Sequence, residues 1–281
     1  MPPFSFVTHR PTGRLGEHVE LLWHAQGQIG YSHEHILPTG AAVLVVNLGP
    51  PIRTAGARGD VAVQRRGWVC GMQTGAMHNE PLAQTHALGV IFAPHRAHAV
   101  LGLPLCELTD RVVALDQIWG RAADDLRERV GVERTAWARL RVAEAWLQAR
   151  VEAEPAPRAL DVALRQLCGI PPRSIRALCR EVGVSHKHFI DRCKHFVGLP
   201  PQQIIRIQRL GRTLAAIDPQ GPVRWAELAV AQGFCDQSHL SREFRRLAGL
   251  SPGEYLARRR AVFGPQLRAG QSPAFVPFVD G

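Results

Sequence analysis

The chain has 281 residues, 46% hydrophobic and 21% charged, which is apolar enough for a core and too charged for a membrane protein. It holds no run of 18 apolar residues, and its start, Met1-Pro-Pro-Phe-Ser-Phe, lacks the basic-then-apolar pattern of a secretory signal, so the expected location is cytoplasmic with no membrane partner. The net charge of +10 is lopsided: 15 basic and 15 acidic residues balance up to Pro155, whereas 34 − 15 = 19 basic face 24 − 15 = 9 acidic residues after it, which points to a polyanion partner for the second half.

Residues 1 to about 95 read as short strands and loops. Ala42 to Leu48 is β-branched and bounded by Gly40 and Gly49-Pro-Pro, and Val61–Gln64, Trp68–Gly71 and His86–Phe92 repeat the pattern between Gly-rich turns. Strands at this spacing predict a small barrel or sandwich. From Pro94 the period becomes helical. Helices are predicted over Pro94–Leu103, Asp116–Val130 and Glu133–Glu154, the last with Trp137, Leu140, Trp146 and Val151 at roughly helical spacing. Glu154-Pro-Ala-Pro-Arg158 breaks the pattern and marks the domain boundary. Another helix, Ala159–Cys168, follows, and past Phe263 the chain is rich in Gly and Pro and reads as a flexible tail. The expectation is an α+β chain. A β-rich, barrel- or cupin-like domain with trailing helices spans 1–155, an all-α domain 156–262, and a tail 263–281.

The most informative feature is a repeat about fifty residues apart. The first copy runs Ile175-Arg-Ala-Leu-Cys-Arg-Glu-Val-Gly183-Val-Ser185, then Phe189, Cys193 and Gly198-Leu-Pro-Pro. The second runs Trp225-Ala-Glu-Leu-Ala-Val-Ala-Gln-Gly233-Phe-Cys235, then Leu240, Phe244 and Gly249-Leu-Ser-Pro. Gly183 and Gly233 supply the left-handed backbone position that stops one helix so that another can start at a steep angle. Val184 and Phe234 plug the corner, and Ser185 caps the second helix. Cys235 stands in the equivalent place and is a poor cap, with Asp236 beside it as a partial substitute. This is the helix-turn-helix layout, whose second helix enters the major groove of DNA. Two ordinary helical hairpins are the bland alternative. Two copies with Gly at the turn, both in the basic half, favour DNA.

Both copies resemble the tandem helix-turn-helix domain of AraC/XylS-type regulators. The match is closest over Ala226-Glu-Leu-Ala-Val-Ala-Gln-Gly-Phe-Cys-Asp-Gln-Ser-His-Leu-Ser-Arg-Glu-Phe-Arg-Arg and Gly249-Leu-Ser-Pro-Gly-Glu-Tyr255, and extends over about residues 158–262. His35-Ile-Leu-Pro-Thr-Gly40 with Val43-Leu-Val-Val-Asn-Leu48, and the run from Leu108 to Asp116 ahead of Trp119, are similar to the N-terminal domain of one uncharacterised branch of such regulators. The resemblance implies a transcription regulator rather than an enzyme, with double-stranded DNA and a small-molecule effector as partners, a second copy of the chain in a homodimer, and RNA polymerase left open as a further contact. It implies no cofactor.

On each recognition helix the face left by the apolar positions is offered to DNA. In the second unit it carries Gln237, Ser238, His239 and Arg242, where the family's base-contacting positions map. Arg can bridge guanine O6 and N7, and Gln can pair with adenine. Arg245 and Arg246, a turn later, suit phosphates. In the first unit the face carries His186, Lys187, Ile190 and Asp191, with Lys194 for phosphate. Asp191 departs from the family pattern and would repel phosphates, though it could accept from a cytosine amino group. Gln203–Ile217 is predicted to be a linker helix. It joins the two units rigidly, as reading sites about 34 Å apart requires.

The N-terminal half is harder to read. His33-Glu34-His35 puts two imidazoles on one face of a strand, which could begin a cupin-like metal site and an alternative function, a β-domain enzyme with a DNA-binding appendage. No further ligand falls at the expected spacing, and the six cysteines form no metal-binding pair, so the expectation is no metal. The stripe on Glu133–Glu154 must be buried, either against its own β domain or against a two-fold partner helix.

Overall fold

The computed structural model describes residues 4–81, 84–151, 158–168, 173–263 and 275–278. The first half holds β1 (Ser5–His9), the single turn α1 (Gly13–Gly16), β2 (Val19–Gln28), β3 (His33–Ile36), β4 (Val43–Asn47), β5 (Ile52–Ala55), β6 (Val61–Gln64), β7 (Gly67–Cys70), β8 (Met77–Glu80) and β9 (Gln84–Phe92). Then come α2 (His98–Leu101), a 3-10 turn at Leu105–Leu108, β10 (Val112–Ala114), α3 (Leu115–Trp119), α4 (Arg121–Val132) and α5 (Ala136–Gln148). The second half is helical: α6 (Arg158–Cys168), α7 (Ile175–Val182), α8 (His186–Val197), α9 (Pro201–Ala215), α10 (Trp225–Ala231), α11 (Gln237–Ala248) and α12 (Pro252–Phe263), followed by β11 (Phe275–Phe278). Among the described residues no helix is long and apolar enough to cross a membrane. The α+β class matches the sequence reading.

The strands form two antiparallel sheets, ordered β1-β2-β9-β4-β7-β10 (sheet A) and β11-β3-β8-β5-β6 (sheet B). In sheet A, the register sets Leu22 opposite Val90 and Leu44 opposite the same residue, so alternate residues share one face. That face, with Leu22, Leu44, Val46, Val69, Leu88, Val90 and Phe92, packs on Leu140, Ala143 and Leu147 of α5 and Leu126 and Val130 of α4. The opposite face carries Trp23, Val45, Trp68 and Ala87, against which Ile52 of β5 packs.

The helices depart from the reading at identifiable points. The predicted helix over Pro94–Leu103 shrinks to the one turn of α2. The predicted Asp116–Val130 helix is cut at Gly120, whose φ of 56° and ψ of −134° suit only glycine, leaving α3 and α4. Thr135 caps α5 by accepting from the Ala138 N–H at 3.1 Å, so the helix starts three residues later than predicted; Glu152 and Glu154 lie outside the described residues. The stripe is spent inside the domain. Leu140 and Val151 are buried, and Trp146 packs on Trp119 with ring centroids 5.0 Å apart and donates to Asp125 at 2.9 Å. Trp137 is 55% exposed and meets the edge of His9.

Where the sequence suggests a loose tail, β11 pairs antiparallel with β3, Val276 opposite His35, and Val276 is fully buried. An unpaired edge strand presents N–H and C=O groups that an extended apolar segment satisfies. The rest of 264–281 lies outside the described residues. Leu37 and Met72 of the first half also join the core built by α6 to α12.

Candidate DNA-binding surface

Each unit folds as its turn residues dictate. Ser174 caps α7, Gly183 ends it at φ 71°, and the Val184 N–H closes back on the Cys179 carbonyl at 3.1 Å. Ser185 then caps α8, accepting from the His188 N–H at 3.2 Å. In the second unit Gly233 sits at φ 76°, the Phe234 N–H reaches the Ala229 carbonyl at 2.9 Å, and Phe234 is buried in the corner beneath the Arg209 guanidinium. Asp236 is the full cap, accepting from the His239 N–H at 2.7 Å, so the poor capping power of Cys235 costs nothing. Phe189 and Cys193 on α8, and Leu240 and Phe244 on α11, are the buried contacts. Ser251 and Glu254 form a reciprocal capping box at the start of α12, with bonds of 2.7 and 3.2 Å, a signal legible in Ser251-Pro-Gly-Glu254.

The proposed readers lie on the open faces. Gln237, Ser238 and Arg242 are exposed on α11, and His186, Lys187, Asp191 and Lys194 on α8. Arg242 makes no ion pair among the described residues, so its guanidinium is available. His239 differs: it is half-buried, its Nδ1 accepts from the Cys235 N–H at 3.3 Å, and its ring meets Phe234 edge-on, so it supports the turn. Ile190 is likewise half-buried. Arg246 leans on Glu243 at 3.2 Å, and Arg245 lies 3.8 Å from Glu254; both pairs are exposed enough to yield to a phosphate. Arg206 of α9 reaches the same Glu243 at 3.8 Å, tying the linker helix to α11.

Sequence reasoning missed the other end of both recognition helices. Their C-termini dock on the β-rich domain. The Thr109 hydroxyl donates to the Gly198 carbonyl at 2.5 Å, and His98 packs on His195 and Phe196 at 5.2 and 4.8 Å between centroids. His35 Nε2 lies 2.5 Å from the Ala248 carbonyl, which can only accept, so the imidazole proton sits on Nε2. Burial, and then the neighbouring His78 and Arg258 charges, hold His35 at about 4 despite that bond. Asp161 of α6 is buried between Arg96 at 2.8 Å, Arg165 at 2.6 Å and His95 at 3.3 Å. His33-Glu34-His35 is thus committed elsewhere: His35 to α11, and Glu34 to accepting from Asn79 and Tyr31.

The exposed faces make a sharp prediction. Arg242→Ala should relax preference at one base position by about 1–3 kcal/mol, whereas Arg245→Ala should weaken all sequences nearly equally. Binding to single-base variants of a selected site checks this; the reverse pattern would exchange the two roles.

Residues 178–258 match the model of a helix-turn-helix domain, and residues 7–114 match a domain of unknown function (DUF6597). No curated protein matches the chain. Among solved structures, ToxT from Vibrio cholerae is a distant likeness at 10% identity and TM-score 0.47, covering 91% of this chain and 98% of its own. The AraC-like transcriptional activator CuxR is more distant, at 14% identity and TM-score 0.24, covering 73% and 85%. With two capped helix-turn-helix units at the place the helix-turn-helix model matches, the chain carries a tandem helix-turn-helix domain of the DNA-binding kind behind a β-rich N-terminal domain.

Proposed function

We propose that residues 1–155 sense a small-molecule effector and pass its state to the tandem units of 156–262, and that the chain works as a cytoplasmic regulator rather than an enzyme. The observation that carries this reading is the docking of α8 and α11 by their C-terminal ends on the β-rich domain, which leaves their N-terminal readers free. A change in the β-rich domain that shifts Thr109 or His35 would move a recognition helix directly. Gln237, Ser238, Arg242, His186, Lys187 and Asp191 are assigned to bases, and Arg245, Arg246 and Lys194 to phosphates. A homodimer on a repeated operator and contact with RNA polymerase belong to the same reading, although α5 spends most of its apolar stripe within its own domain.

The test is binding of duplex DNA by the full chain and by residues 158–262 across a salt series. Three phosphate contacts alone should cost at least about tenfold in affinity between 50 and 200 mM salt. An affinity indifferent to salt, or absent at low salt, would refute the DNA assignment. Sedimentation of the full chain with and without DNA decides the dimer.

A further inference from the structure

The helix-facing side of sheet A holds a cation with no counter-ion. Arg139 projects from α5 beside Leu140 and is 8% exposed; its Nε is buried and unpartnered, and no ion pair or hydrogen bond holds its guanidinium among the described residues. Below it are two imidazoles. His24 on β2 is 1% exposed with both ring nitrogens buried and unpartnered, and His86 on β9 has its Nε2 in the same state. The register puts His24 opposite Leu88 and Gln26 opposite His86, so both rings leave the sheet on the face that α5 covers, and they meet edge to face at 5.3 Å. A guanidinium largely withdrawn from water with no counter-ion is an unfavourable arrangement, and orphaned polar atoms in one place call for a missing partner.

The chemistry of that partner follows from the donors. Burial and then the Arg139 charge keep both imidazoles neutral, His24 at about 4, so each offers one N–H. The cluster therefore carries a single positive charge, a guanidinium fork and two further donors. A metal cation would be repelled by Arg139. A dianionic phosphate would bring more charge than the site balances, whereas a carboxylate matches the fork in shape and the site in charge. Glu133 is near enough to be felt by Arg139 but forms no ion pair with it. A cleft of about 230 Å³ between the β6–β7 turn and α3–α4 is a weaker candidate, because its Arg66 is already paired with Asp124 and its Arg127 with the Asn47 carbonyl.

We infer that Arg139, His24 and His86 form the binding site for the carboxylate of a small organic acid, which resting on the sensor reading above would be the effector's anchoring group. The experiment uses the full chain, with acetate and benzoate as probes against chloride at equal ionic strength. The wild type should gain about 2–5 °C in Tm at saturating probe. The ring 15N signals of His24 and His86 should move with it. Arg139→Gln and Arg139→Met should lose both responses, and Arg139→Met, which removes the unpaired charge, should melt no lower than wild type without probe. Glu133→Gln should keep or enlarge the response. A wild type that ignores both acids, a response to phosphate but not to acetate, or a response appearing only in Glu133→Gln would each overturn the site. An equal response in wild type and Arg139→Met would overturn this site too, while leaving an effector bound elsewhere in the domain.

Discussion

Asp161→Ala is expected to lower stability by about 3–5 kcal/mol, because it strips a buried carboxylate from beneath cations that cannot all leave. Arg165 is largely exposed and can turn to water. Arg96, with an 11% exposed side chain, cannot, and the buried His95 beside it is neutral and supplies no replacement anion. The loss falls on the seam between halves, since Asp161 belongs to α6 and Arg96 precedes α2. Paired replacement separates charge from packing: Asp161→Leu with Arg96→Met removes donor and acceptor together and should recover most of the loss. Urea unfolding measures both. A double variant as unstable as Asp161→Ala would mean that the seam depends on shape, and the buried ion pair would lose its explanatory role.

That seam also marks where the sequence stops being readable. The helix-turn-helix units were legible because their signals are local. Glycine at a left-handed turn, an N-cap three residues before the N–H it accepts, and apolar residues at helical spacing act within a dozen positions. Asp236 in place of Cys235 is a shift of one residue along the same local logic. The half-buried settings of His239 and Ile190 depend on how each helix seats in its unit, which periodicity alone cannot give. The β-rich half was legible where strands were short apolar runs between turns, as in Val43–Asn47, Val61–Gln64, Gly67–Cys70 and His86–Phe92. β2 was missed because its helix-covered face carries His24 and Gln26 where an apolar alternation is expected, against Trp23 and Ala25 on the other face. β3, β8 and β11 are short and pair across wide sequence separations, Val276 with His35 among them, so no local window contains the partner. The same reason hid the contacts of Thr109 with Gly198 and of His35 with Ala248.

Acid should loosen this molecule well before its carboxylates titrate. His24 and His35 are 1% and 3% exposed and are held at about 4 in the folded chain, against 6.5 for a free imidazole. Above pH 6.5 both are neutral in folded and unfolded chains and contribute no pH dependence. As pH falls from 6.5 toward 4, the unfolded chain binds protons that the folded one refuses, and stability drops; below 4 the loss is complete. At 1.36 kcal/mol per pH unit the full gap amounts to about 3 kcal/mol for each histidine, of which about 1.4 kcal/mol is lost by pH 5.5. His95 is lowered as well, its burial outweighing Asp161, and adds to the same trend. His35 has the more specific consequence. Its Nε2–H is committed to the Ala248 carbonyl and its Nδ1 is buried without a partner beside His78, so a second proton has nowhere to be solvated unless α11 lifts away. His35→Gln can keep a donor toward Ala248 without titrating. Urea unfolding at pH 7.5 and 5.5 should therefore show a smaller acid loss in His35→Gln than in wild type, by about 1 kcal/mol. Amide exchange at the C-terminal turn of α11 should rise with acid in the wild type only. Equal acid losses in the two proteins, with equal exchange at that turn, would show that His35 does not carry the proton that opens the seam.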